Sequence, residues 1–352
     1  MQITKSDLLY DFPEQLIAQT PVYPPRVLYK PFDSSAEEIS FDQIFDLFSK
    51  NDLLIINKTK VLPRRIFLKD FDIMFLESES KSNNISKFDN SEIINEQYWT
   101  VLFPAKKFKV GDVIEIPGGI TITLLEKGIP QKVKTSSPLN AAYFEKYGQF
   151  ALPPYIQSAR GQSVPLDEDK LWYQTSWAEN PGSLAAPTAS LHFKSHDIEK
   201  IKSKIEVAEV TLHVGLGTFL PVTTEILSEH KMHYEFVEIE KSTIEKIKFC
   251  QSNSGRVWAL GTTSLRSVEA WARGHLKEYD DKFAGETDLF LKPGDEFKVV
   301  SGLFTNFHQP GSTLISLVAA FSTLEDVKTT YQHAVNNKFR FFSYGDLSVW
   351  TR

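Results

Sequence analysis

The stretch YQTSWAENPGSLAAPTASLHF (173–193), followed after a charged segment by AEVTLHVGLGTFLP (208–221), concentrates the unusual residues of this chain. Its first part cannot be a regular helix or strand. Pro181 and Pro187 each fix φ and remove a backbone donor, and Gly182 follows the first. Ser183, Thr188 and Ser190 offer hydroxyls, with His192 just behind them. The second part reads as a strand, with Val210, Leu212 and Val214 alternating against Thr211, His213 and Gly215. It runs into Gly215 and Gly217, where backbone can approach a ligand closely. A polar loop feeding a half-polar strand suits a small-molecule site, but it also suits an ordinary connection. The rest of the chain has to decide.

Working outward, 352 residues exceed the usual size of one compact domain, so two are expected. Hydrophobic residues make up 41% and charged residues 24%, the composition of a soluble globular protein. No apolar run is long enough to span a bilayer. Acidic residues break up the N-terminal MQITKSDLLYDFPEQLIAQ, so it lacks a signal-peptide core. One cysteine, Cys250, excludes a disulfide framework and a Cys-rich zinc site. A cytoplasmic protein is expected. The net charge of −6 does not advertise nucleic-acid binding, although a local basic surface remains compatible with it.

VLYK (27–30) and the apolar run at Asp52–Ile56 read as strands, and FDQIFDLF (41–48) has helical spacing. NKTKVLPRRIFLKD (57–70) clusters Lys58, Lys60, Arg64, Arg65 and Lys69, either a solvated strand edge or a contact surface for an anionic partner. From about Val61 to Tyr155 short strand signals separated by GD and GG turns suggest a small β-barrel or sandwich. Within it, Ser78–Gln97 reads as a polar mobile loop, and Lys106, Lys107 and Lys109 form a second basic cluster. Beyond YGQFALPPYI (147–156), an exit linker, α/β character returns. SHDIEKIKSKI and STIEKIKFCQ are helices, and STLISLVAAF is a helix apolar nearly all round. DEFKVVSGLFTNF resembles a hairpin turning at Ser301-Gly302.

Several constellations carry candidate chemistry. GTTSLR (261–266) sits where a strand turns into a helix. Free N–H groups there, with Thr262, Thr263 and Ser264, suit an anion, and Arg266 strengthens this if it points back; helix capping is the competing use of those hydroxyls. His230 and His233 lie near Glu235, but HEXXH spacing is absent and no metal site is expected. TNFHQP places Asn306 and His308 before the apolar helix, and His308 suits a general base or a brace for its loop. SYGD sets Tyr344 and Asp346 around Gly345. No G-x-S-x-G elbow, Walker loop or G-x-G-x-x-G fingerprint is present.

The ordered set YDFPEQLIAQTP, LIINKTKVLPRRI, YQTSWAENPGSLAAPTASLHF, VTLHVGLGTFLPV, HKMHYEFVEI, ALGTTSLRSVEAW, GETDLFLKPGDEFKVVSGLFTNFHQPGSTL and FFSYGD closely resembles the S-adenosylmethionine:tRNA ribosyltransferase-isomerases of queuosine biosynthesis. The likeness covers nearly the whole chain. It implies an α/β catalytic domain (1–60 and 156–352) with a small β-barrel domain (61–155) inserted. It also implies transfer of the ribosyl part of S-adenosylmethionine to 7-aminomethyl-7-deazaguanine at the wobble position of a tRNA with a GUN anticodon. The products are epoxyqueuosine-tRNA, adenine and methionine. S-Adenosylmethionine is a consumed substrate, so no cofactor and no metal are implied, and the protein is expected to act as a monomer away from membranes.

That chemistry needs a base for the carbon beside the sulfonium and a proton donor for departing adenine. His192, His308, His213 and His233 are candidates, with Asp288 as a further acid; His192 and His308 rank first because each sits beside hydroxyl or amide groups. Thr188, Gly215, Gly217, Thr262, Thr263, Ser264, Arg266, Asn306, Tyr344 and Asp346 are expected to hold the sulfonium nucleoside. Lys58, Lys60, Arg64, Arg65, Lys106 and Lys107 fit tRNA phosphates. Two departures from the family pattern bear on this. Glu286 stands in GETD where an aromatic is usual, and PVYPPRVLYK is compressed, leaving only Arg26. Two other readings remain open at this point: an RNA-binding member without turnover, and ribosyl transfer to another acceptor.

Overall fold

The computed structural model describes residues 3–78, 97–215 and 224–352; the polar segment between Ser78 and Gln97 and the expected ligand contact at Gly217 lie outside the described residues. The fold is mixed α/β, with two large sheets. The larger has ten strands in the order Lys277–Glu278, Lys282–Thr287, Glu235–Glu240, Glu206–His213, Leu53–Asn57, Val257–Leu260, Val300–Asn306, Leu347–Thr351, Val27–Lys30 and Glu37–Ile39. Its middle four, from Glu206–His213 to Val300–Asn306, are mutually parallel. Outside them the pairings are antiparallel, except that Val27–Lys30 runs parallel to Leu347–Thr351.

Leu53–Asn57 is buried at every position because it is the centre of this block. Alternate side chains leave opposite faces of a strand. Leu53 and Ile55 join Val257, Ala259 and Leu303 in one core, under Ile244 and Ile247 of helix Lys241–Ser252 and Leu265 and Val268 of helix Thr262–Ala272. Leu54 and Ile56 join Trp258, Leu260 and Phe304 in the other, under Phe41, Ile44 and Phe45 of a 3-10 turn and Ile198 and Ile201 of helix Ser195–Lys202.

The expected hairpin at Ser301-Gly302 is instead one continuous parallel strand, Val300–Asn306. Gly302 serves close packing rather than a turn. A Cβ there would lie 2.2 Å from the Trp258 ring. The expected exit linker likewise contains a helix, Pro154–Arg160, with proline at its start, where no donor is needed.

The second sheet has six antiparallel strands: Arg65–Phe67, Asp72–Ser78, Tyr98–Leu102, Gln131–Thr135, Ile120–Glu126 and Val113–Ile116 in spatial order. It is a curled half-barrel rather than a closed barrel, since its first and last strands do not pair among the described residues. Irregular registers at Lys132/Val133 and Phe75/Ser78 add local twist. Helix Ala141–Tyr147 lays Tyr143 and Phe144 into the sheet's core, beside Phe75 and Trp99. Among the described residues no helix is long and apolar enough to cross a membrane.

Candidate active site

The carboxyl ends of parallel strands converge on one edge of the sheet, and that edge is where open α/β sheets take ligands. Here those ends carry Asn57, His213, Gly261 and Asn306. A cavity of about 880 Å³ opens beside them, lined by Thr188, Thr262, Thr263, Arg266, Thr305, Asn306, His308 and His233 among others. Ligand pockets run from roughly 300 to 1,000 Å³, so this one is large enough for a nucleoside with a further group beside it.

Asn306 organises one wall. Its amide nitrogen donates to His192 Nε2 at 2.8 Å and to the Phe342 carbonyl at 3.1 Å. Its amide oxygen accepts the Thr188 hydroxyl at 2.8 Å. With both amide hydrogens used, the side chain has one orientation, and Thr188 is set by it. His192 itself does not line the cavity. Its Nε2 already accepts a hydrogen bond, which assigns the proton to Nδ1. Burial, with Arg340 nearby, brings its pKa down to about 3, so the ring is neutral.

His308 does line the cavity. Its Nε2 lies 2.7 Å from Thr305 Oγ1, and its backbone is pinned between the hydroxyls of Tyr10 and Tyr331. Burial lowers its pKa to about 3, leaving a neutral imidazole. His213 stands at the same strand edge but outside the lining. Its Nδ1 is 2.7 Å from Thr59 Oγ1, its ring stacks near Phe236, and burial lowers its pKa to about 4. Gly182 is required here, since a Cβ would fall 2.6 Å from that ring. His233 is exposed and lines the cavity, while Asp288 is exposed outside it.

Arg266 lies in the wall, ion-paired with Glu235 and donating through Nε to the Leu289 carbonyl at 3.1 Å. Ser264 turns its hydroxyl to the Leu260 carbonyl at 2.8 Å and stays outside the lining. Gly215 also lies outside, its N–H facing Glu235 at 3.4 Å. Tyr344 and Asp346 are buried away from the cavity. Tyr344 donates to Asp169 at 2.8 Å, and Asp346 pairs with Arg340 at 2.7 Å.

Contacts that sequence reasoning missed include Tyr155 and Ser343, whose hydroxyls are 2.5 Å apart in the cavity wall, and Lys5, Lys231 and Phe290. Ser343 directly precedes the Tyr344 that was singled out, and the apolar neighbours of Tyr155 hid its position. Among the described residues no group of His, Cys, Asp or Glu is arranged to hold a metal ion.

The basic residues differ in pairing and exposure. Lys58 is held by Glu179 at 3.2 Å and Glu209 at 3.5 Å, and Arg65 by Asp72 at 2.6 Å. Arg64 lies over the rings of Trp99 and Phe144. Lys60, Lys106 and Lys107 are exposed. Glu286 is exposed on the Lys282–Thr287 strand, opposite Phe236. Arg26 pairs with Glu38 at 2.7 Å.

Similarity to known proteins points to one family. A family model described as "Queuosine biosynthesis protein" matches residues 5–349. An S-adenosylmethionine:tRNA ribosyltransferase-isomerase of Polynucleobacter necessarius is 40% identical, over 97% of this chain and 96% of that protein. One from Thermotoga petrophila is 38% identical, over 98% of each. The crystal structure of an S-adenosylmethionine tRNA ribosyltransferase from Thermotoga maritima superposes with a TM-score of 0.54 at 29% identity, covering 98% of this chain and 100% of that one. The ordered loops, the fold and the matched length agree, and the chain belongs to the queuosine biosynthesis protein family.

Proposed function

We propose that this chain transfers and isomerises the ribosyl part of S-adenosylmethionine onto the aminomethyl group of 7-aminomethyl-7-deazaguanine at a tRNA wobble position, releasing adenine and methionine. The observation that carries this reading is the single cavity that gathers Thr188, Thr262, Thr263, Arg266, Asn306 and His308 from separate loops at the carboxyl ends of the parallel strands. Family membership supplies the reaction class, and the residues present suit its demands.

The sulfonium acidifies the adjacent C–H, so the base must be unprotonated and shielded from water. His308 meets both conditions, being buried and neutral; the burial that keeps it neutral also makes it a weak base, so only a strongly acidified C–H such as the one beside the sulfonium is within its reach. When Thr305 Oγ1 accepts from Nε2–H, the tautomer this role requires, Nδ1 carries the lone pair that takes the proton. His192 acts one residue back, orienting Asn306 and through it Thr188 against the sugar. His233, exposed among the lining residues, supplies the proton for departing adenine. The half-barrel forms the inserted domain, over about residues 61–155, and Lys106, Lys107 and Lys60 meet the phosphates of the anticodon arm. Cytoplasmic tRNA is the partner this implies.

The test is incubation of the protein with S-adenosylmethionine and tRNA bearing the aminomethyl base. Stoichiometric adenine and a heavier nucleoside by mass spectrometry are expected, with turnover falling at least about 100-fold in His308→Gln while substrate binding persists. Tight tRNA binding without adenine release would overturn the reading.

A further inference from the structure

Helix Thr262–Ala272 begins directly after the Val257–Leu260 strand, with Gly261 at φ 91° between them and no side chain capping it. The N–H groups of Thr262, Thr263 and Ser264 therefore have no partner among the described residues. The N-cap residue is a glycine with no side chain to offer, and the Ser264 hydroxyl of the first turn is turned to the Leu260 carbonyl.

A second observation points to the same place. The Arg266 side chain is only 7% exposed, and although Nε and Nη1 are engaged, Nη2 has no partner among the described residues. Thr263 Oγ1 and Thr224 Oγ1 are buried without partners too, and all three residues line the cavity. Buried polar atoms are normally satisfied, so unpaired donors gathered at one spot mark where a ligand completes them.

We infer that these donors seat the α-carboxylate of the sulfonium substrate; this deepens the ribosyl-transfer reading and rests on it. Backbone N–H and guanidinium N–H groups can only donate, so their partner must be a group that accepts. A carboxylate accepts at both oxygens, whereas a ribose hydroxyl must also donate. The Glu235 carboxylate offsets the Arg266 charge, so selectivity rests on directed donors and the positive helix end rather than on net charge. An RNA phosphate shares this chemistry, but Arg266 is more than nine-tenths buried, out of reach of a polynucleotide backbone. A carboxylate on the short arm of an amino acid reaches it. Anchoring that end leaves the nucleoside the rest of the cavity, with His308 and Asn306.

Calorimetric titration tests this, comparing S-adenosylmethionine with its decarboxylated form. Wild-type protein is expected to bind the decarboxylated form at least about 10-fold more weakly, the loss of a charge-assisted hydrogen bond. Thr263→Val removes a hydroxyl that holds nothing in the fold, and the Arg266→Gln/Glu235→Gln double variant leaves no orphaned charge. In each, discrimination should shrink several-fold. Equal affinity of wild type for both forms, with adenine release intact, overturns the carboxylate seat and leaves ribosyl transfer standing. Failure to bind either form removes both. A double variant that loses tRNA affinity while keeping its discrimination assigns the donors to phosphate and also overturns the seat.

Discussion

Lowering the pH should destabilise this fold through three buried histidines, and the size of the effect follows from their surroundings. His192 and His308 have pKa values brought down to about 3 and His213 to about 4, burial being the main cause in each case. All three rings are neutral in the folded chain, while in the unfolded chain they titrate near 6.5. A depressed folded pKa means the stabilisation is complete above pH 6.5 and is lost as pH falls toward 3 to 4. At pH 5 the unfolded chain holds a proton on each ring that the folded chain refuses, at a cost of about 2 kcal/mol per ring and roughly 6 kcal/mol together. Domain stabilities are of order 5–15 kcal/mol, so the loss is large. Urea unfolding at pH 7.5 and pH 5, at one ionic strength, measures it. His308→Gln should reduce the pH slope by about 1.4 kcal/mol per unit, one proton fewer. A variant whose slope equals that of wild type would show that the ring already protonates in the folded state, and the dry imidazole argued for as the base would be wrong. The same neutrality predicts that His308 contributes no acidic limb to the rate profile between pH 5 and 8.

Two further substitutions probe the scaffold and the RNA surface. Gly302→Ala drives a methyl group into the Trp258 ring and should cost about 3 kcal/mol or more, read as a lowered urea midpoint or loss of soluble protein; an unchanged midpoint would mean the two strands can separate freely. Lys106→Ala with Lys107→Ala should weaken tRNA binding and flatten its salt dependence by up to about two phosphate contacts, while leaving S-adenosylmethionine affinity alone. An unchanged salt slope in a filter-binding titration would move the RNA to another face. Arg65→Ala, by contrast, breaks the pair with Asp72 and should act on stability first.

Much was readable in the chain itself. Unbroken apolarity at residues 53–56 marks a strand covered on both faces, and the proline and glycine spacing at 181–187 marks an irregular path before Thr188, although Asn180–Ser183 still pairs as a short strand with Thr59–Val61 and Thr188–His192 closes as a 3-10 turn. Those features are local: steric limits on φ and the alternation of side chains act within a few residues. Gly302 shows where local reading fails. In sequence Ser-Gly looks like a turn, and only the Trp258 ring of the neighbouring strand reveals why the side chain is missing.

Pairing was the other thing only the folded chain decided. His192 and His308 look alike in sequence, each in a polar loop, yet one stands behind Asn306 and the other faces the cavity. Tyr344 and Asp346 looked like ligand contacts and are spent on Asp169 and Arg340. Lys58 and Arg65 looked like a basic surface and are neutralised by Glu179, Glu209 and Asp72. Residue types and their order established the family and the inventory of chemical groups, because those are carried by the covalent chain. Which groups remain available to a ligand depends on partners the sequence does not mark, some a few residues off, as Asp72 is from Arg65, and some more than 100 positions away, as Asp169 is from Tyr344, and only the tertiary structure assigns them.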